Sequence, residues 1–147
     1  MMTKLMTAAL TMLVLPMALA CSPVSGDTPS REASIEIAID EFEDVKNVTR
    51  DVVVAEGGTL TLTLGSNPTT GFSWPEAAEV ADPAVLQQTG SEMQPAQAQG
   101  MVGAPGAQVW TFKALKKGAT TVSLDYSRPW EGGEKGVWTF ELTVTVK

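Results

Sequence analysis

Trp138-Thr139-Phe140-Glu141-Leu142-Thr143-Val144-Thr145-Val146 alternates apolar and polar side chains without a break. Successive side chains of a β-strand point to opposite faces, so a period of two gives one apolar and one polar face. Thr and Val are branched at Cβ, which suits a pleated strand and restricts χ1 in a helix. The stretch is predicted as a strand with one face in a core and the other in water, the pattern of an antiparallel sheet.

The same period recurs upstream. Ile35, Ile37 and Ile39 alternate with Glu36 and Ala38, and Leu60, Leu62 and Leu64 alternate with Thr61 and Thr63. Trp110, Phe112 and Ala114 flank Thr111 and Lys113, and Val122, Leu124 and Tyr126 flank Ser123 and Asp125. No stretch sustains a 3.6 period, although residues 75–86 have room for a helical turn. Gly and Pro punctuate the gaps. Segments 76–84 and 94–100 carry little strand pattern and are predicted to cross between sheets. The reading is all-β: an immunoglobulin-like antiparallel β-sandwich with Greek-key connections.

The chain is 147 residues long, which accommodates one domain. Residues 1–20 read as a secretory signal peptide, with Lys4 followed by an apolar run that ends in Ala18-Leu19-Ala20. The apolar run falls short of the ~20 residues that a membrane span needs. Cys21, the sole cysteine, stands at the junction as the lipid-attachment residue of a bacterial lipoprotein does. Ala18-Leu19-Ala20 also satisfies ordinary signal-peptidase cleavage, which leaves lipid anchoring and simple secretion both open. Residues 21–33 read as the attachment Cys and a flexible tether of Ser, Pro, Gly and Asp. The folded domain is expected over 34–147, without any internal disulfide.

The full chain carries ten basic and seventeen acidic residues. Loss of Lys4 with the signal leaves nine against seventeen, a net charge of −8. Such a chain repels nucleic acid and an anionic membrane surface, so membrane contact is expected only through a lipidated Cys21. The absence of histidine removes imidazole bases, catalytic triads and imidazole metal sites. The acidic run Asp40-Glu41-Phe42-Glu43-Asp44 lacks the glycine-containing spacing of a calcium loop and reads as a solvated face. No enzyme activity, metal or cofactor is expected.

Three segments close strand-like runs. In Asn67-Pro68-Thr69-Thr70-Gly71-Phe72, proline fixes φ, glycine permits positive φ, and Asn can bond its own backbone, so the loop is stiff. Gly103-Ala104-Pro105-Gly106 is small enough for close backbone approach. Arg128-Pro129-Trp130 joins the two residue types most enriched at interface hot spots. Trp130 falls outside the strand alternation and is predicted to be exposed, whereas Phe72, Trp74, Trp110 and Trp138 are assigned to packing beneath the surface.

In this order, the three segments resemble the N-P-T-T-G-[YF], G-x-G-G and R-P-[WF] motifs of the chagasin-like cysteine-peptidase inhibitors. The resemblance covers the chain from about Ile35 onward, and Pro105 departs from the glycine usual at its position. It implies a reversible, non-covalent inhibitor that fills the cleft of a papain-like cysteine peptidase with three loops. It also implies contacts through Asn67, Pro68, Thr69, Thr70, Gly71 and Phe72, through Gly103, Ala104, Pro105 and Gly106, and through Arg128, Pro129 and Trp130. On the family pattern Arg128 braces the neighbouring loop as much as it touches the enzyme. The expected agent is a monomer, exported to the cell envelope. The competing reading is an envelope-anchored immunoglobulin-like module for glycan or another envelope protein, against which Trp130 stands without the further exposed aromatics of a sugar site.

Overall fold

The computed structural model describes residues 28–95 and 105–147. Its elements are β1 (Ser30–Ile37), helix α1 (Ile39–Asp44), β2 (Asn47–Ser66), a 3-10 turn (Pro68–Thr70), β3 (Glu79–Val80), β4 (Leu86–Gln94), β5 (Gly106–Ala114), β6 (Gly118–Tyr126) and β7 (Trp138–Val146). The 20-residue β2 belongs to two layers. Its first half, from Asn47 to Val54, pairs with β7, which pairs with β6 and through it with β3. Its second half, from Thr59 to Ser66, lies between β1 and β5, and β4 completes that layer beside β5. The all-β sandwich is thus as the alternation implied. Four pairings are antiparallel, whereas β1–β2 and β2–β7 are parallel, a feature that one-face alternation does not encode.

The corner between the two halves of β2 depends on glycine. A Cβ on Gly58 would lie 2.7 Å from the Arg31 carbonyl and 2.8 Å from that of Ala55, so the chains cross too closely there for a side chain. Beyond the corner β2 returns toward the end from which it came. Asn47 opposes Thr139 at the start of β7, while Ser66 opposes Gly106 at the start of β5. The ladders therefore bring Ser66, Gly106, Tyr126 and Trp138 to one end, and with them loops 67–72 and 128–130. Ser30, the β2 corner and Lys147 lie at the other, where Glu56 N–H bonds the Lys147 carbonyl at 2.9 Å.

The core fills the space between the layers. Leu60, Leu62, Leu64, Trp110 and Phe112 face Val122, Leu124, Phe140, Leu142 and Val144, and all are buried. At the loop end a ring stack continues it: Tyr126 lies 4.7 Å from Trp138, and Phe42 lies 5.6 Å from Trp138 and 5.1 Å from Trp74. Trp74 is buried as expected and donates to the Gly65 carbonyl at 2.9 Å. Trp138 is only half-buried, because it lies on the edge of this stack at the start of β7.

Four further expectations are corrected. The strand beginning at Ile35 ends at Ile37 and does not include Ile39, which opens α1. The acidic run is that helix, and Phe42 is turned wholly into the core (0% exposed) while Glu41 pairs with Arg50. β1 starts at Ser30, so residues 30–33, read as tether, are paired with β2. Segment 76–84 does pass from the β3 layer to the β4 layer, and the helical turn for which 75–86 had room is a single turn in which the Asp82 carbonyl accepts from the Val85 and Leu86 N–H groups. By contrast, Gln94 ends β4 opposite Ala107, so the segment that follows joins adjacent strands of one layer. Cys21 and the signal segment lie outside the described residues.

Candidate functional site

Loop 67–72 leaves β2 directly from the buried Ser66. Pro68 opens the 3-10 turn, where its fixed φ is already helical and its missing N–H has no intrahelical partner to lose. The turn is closed by Thr70 N–H and Thr70 Oγ1, both donating to the Asn67 carbonyl, at 3.2 and 2.7 Å. Thr69 Oγ1 donates to Asn67 Oδ1 at 2.5 Å. Gly71 then adopts φ +81, a conformation that L side chains rarely take. Asn67 thus accepts through both its side chain and its backbone, but its side chain takes the Thr69 hydroxyl and not the backbone N–H expected from the sequence. Its own N–H donates to Tyr126 Oη at 2.9 Å, fastening the loop to the end of β6.

Loop 128–130 is tied to the same place. Ser73 and Ser127 exchange backbone hydrogen bonds at 2.9 and 3.1 Å, joining the exit of one loop to the entry of the other. The Arg128 guanidinium sits 4.4 Å over the Phe72 ring and 5.8 Å from Trp130. This is the bracing contact anticipated for Arg128, and the Phe72 ring below it is half-buried and stacked on Tyr126 at 5.7 Å. Trp130 is 50% exposed, as its break from the alternation suggested. Its inner edge rests on Gly71: a Cβ there would lie 2.6 Å from Trp130 Cη2. Gly71, expected as a contact residue, is thus the seat of Trp130.

The carbonyls of loop 128–130 are gathered from behind. Lys135 Nζ donates to the Arg128 and Trp130 carbonyls, and Gly133 N–H donates to Trp130 at 3.1 Å. The Arg128 N–H in turn donates to the Glu134 carbonyl at 2.8 Å. These contributions from Gly133, Lys135 and Tyr126 were not read from sequence. The polar run after Trp130 was visible, but nothing in it marked Lys135 as a carbonyl ligand.

Of the third segment, Gly103 and Ala104 lie outside the described residues. Pro105 is exposed, and Gly106 begins β5 directly across from Ser66. The base of that segment therefore adjoins the start of loop 67–72. Asn67 is half-buried, Pro68, Thr69 and Thr70 are exposed, and Pro129 lies exposed beside Trp130. Helix α1 joins this end too, since it links the end of β1 at Ile37 to the start of β2 at Asn47.

Loops 67–72 and 128–130 are thus held against each other with Trp130 half in solvent. Residues 53–144 match the model of the chagasin family of peptidase inhibitors (chagasin family peptidase inhibitor I42), and the chain belongs to that family. Members of the family are inhibitors of peptidases and not enzymes. The chain is 34% identical over 88 residues to Amoebiasin-2 of Entamoeba histolytica, covering 60% of this chain and 70% of that one. Its structure is similar to the crystal structure of the cysteine protease inhibitor EhICP2 of Entamoeba histolytica. That match has a TM-score of 0.62, 25% identity, and coverage of 79% of this chain and 97% of the other. A structure of PbICP-C in complex with falcipain-2 shares the fold, with a TM-score of 0.56 at 15% identity over 79% and 98% of the two chains.

Proposed function

We propose that the chain is a reversible, non-covalent inhibitor of papain-like cysteine peptidases. Loops 67–72, 103–106 and 128–130 form a wedge that occupies the cleft and excludes substrate. The observation that carries this reading is the seating of Trp130 on Gly71, reinforced by the Ser73–Ser127 bridge. Two of the three loops are thereby held together before any partner arrives, so little ordering cost remains to be met on binding. The family, and the cysteine protease inhibitor among its structural relatives, supply the class of target. PbICP-C bound to falcipain-2 is a precedent on the same fold. The wedge carries no group that reacts with the peptidase thiolate, so activity returns on dilution.

The same reading places the protein outside the cytoplasm as a monomer, held in the cell envelope by lipid on Cys21. Because Ser30 lies at the end opposite the loops, a membrane tether leaves the wedge facing away from the bilayer. The deciding experiment is titration of the exported chain, carrying Cys21→Ser, against active-site-titrated papain. Stoichiometric inhibition competitive with substrate and reversed by dilution is expected. No inhibition at micromolar concentration, or slow cleavage of the chain in place of inhibition, overturns the reading. Fatty-acid labelling of cells is expected to tag the wild type and not Cys21→Ser.

A further inference from the structure

Beside loop 67–72 lies a recess of about 300 Å3 that none of the three loops accounts for by itself. Phe72, Tyr126 and Trp138 give it aromatic walls, and Ile39 of α1 adds an aliphatic one. The exposed residues on its lining are Thr70, from the loop, and Glu43, from the helix. Glu43 forms no ion pair among the described residues, whereas its neighbour Glu41 is engaged by Arg50. Aromatic walls with a free carboxylate at the rim suit one kind of guest: a side chain with an apolar stem and a cationic tip. The stem is desolvated against the ring edges and Ile39, and the charge meets the carboxylate. The faces of Phe72 are already taken by Arg128 and Tyr126, so the guest is held by its stem and by Glu43.

We infer that this recess is a fourth contact with the inhibited peptidase, receiving a Lys or Arg side chain from the rim of its cleft, with Glu43 as the counter-charge. The inference rests on the inhibitory reading above and deepens it. Three observations converge on this occupant. The recess is continuous with loop 67–72 through Asn67, Thr70 and Phe72, so a partner seated on the loop covers it. Asp40 and Asp44 add negative charge on the same short helix, and no Lys or Arg lines the recess. The exported chain as a whole carries an excess of acidic residues, which favours encounter with a basic surface. Helix α1 thereby becomes a specificity element: peptidases with a basic residue at the facing rim position are bound more tightly than those with an acidic one.

The test is a charge-swap cycle with papain. Each Lys and Arg bordering the papain cleft is replaced singly by Glu, and association and dissociation rates are measured against wild-type, Glu43→Gln and Glu43→Lys chains. Glu43 is exposed, so melting temperatures stay level and confirm folding. Glu43→Lys is expected to weaken binding by about 10-fold or more, with a smaller loss for Glu43→Gln, concentrated at low salt. One papain variant is expected to restore Glu43→Lys to within about 3-fold of the wild-type pair, since matched charges recover a specific contact. Equal binding of wild type and Glu43→Lys, or a loss that no papain variant restores, overturns the inference and leaves the inhibitory reading intact. A wild-type chain that does not bind papain removes both.

Discussion

Trp130 faces two ways. Its outer half is in water, ready to meet a partner, and its inner edge rests on a glycine that has no room for a methyl group. Trp130→Ala is expected to weaken inhibition of papain by about 30-fold, corresponding to ~2 kcal/mol, with little change in melting temperature. Gly71→Ala is expected to weaken it too, by displacing the same ring, and also to lower stability by ~1 kcal/mol or more, because φ +81 is strained for alanine. Inhibition assays paired with thermal melts separate the two. A Trp130→Ala chain that inhibits normally would show the ring to be idle. The exposure of Trp130 was legible because it broke a period of two, and Gly71 was legible as a turn former. That the one is the seat of the other was not, since the contact joins loops far apart in sequence. The bond from Asn67 to Tyr126 Oη was hidden for the same reason.

At the level of elements, α1 is the feature the alternation concealed. Four of the five residues 40–44 are acidic, so composition alone gave a solvated face, and six residues are too few to display a helical period. The single apolar residue decides the matter: Phe42 drives into the ring stack between Trp74 and Trp138. Phe42→Ala is expected to cost ~3–5 kcal/mol in denaturant unfolding, the usual loss for a buried Phe. Arg50→Ala, which removes the half-exposed pair with Glu41 and an exposed hydrogen bond to the Thr49 carbonyl, is expected to cost under ~1 kcal/mol. Equal losses would mean that the ion pair, and not Phe42, fixes the helix. β7 was legible to the residue, whereas β6 was read from Val122 and begins at Gly118, where Ala119, Thr120 and Thr121 carry no apolar alternation. The first half of β2 was not legible, because Val52-Val53-Val54 interrupts the period before the strand turns its corner at Gly58.

Across the whole molecule, cohesion comes from packing, since the only cysteine precedes β1 in the chain. Melting temperature is therefore expected to be the same with and without reductant. A fall of several degrees on reduction would reveal a covalent link, such as a Cys21–Cys21 dimer, contributing to stability.

The corner strand β2 carries a further consequence. If the loops enter a peptidase cleft as proposed, they are also exposed to cleavage, which requires several residues to peel away and stretch through the catalytic groove. Loop 67–72 grows from a strand stitched to β7 over its first half and to β1 and β5 over its second. Fraying this loop toward the core means tearing β2 from β5 on one side and β1 on the other, so its local opening is costly. The strand that binds the halves of the sandwich into one is also what keeps the bait from being eaten.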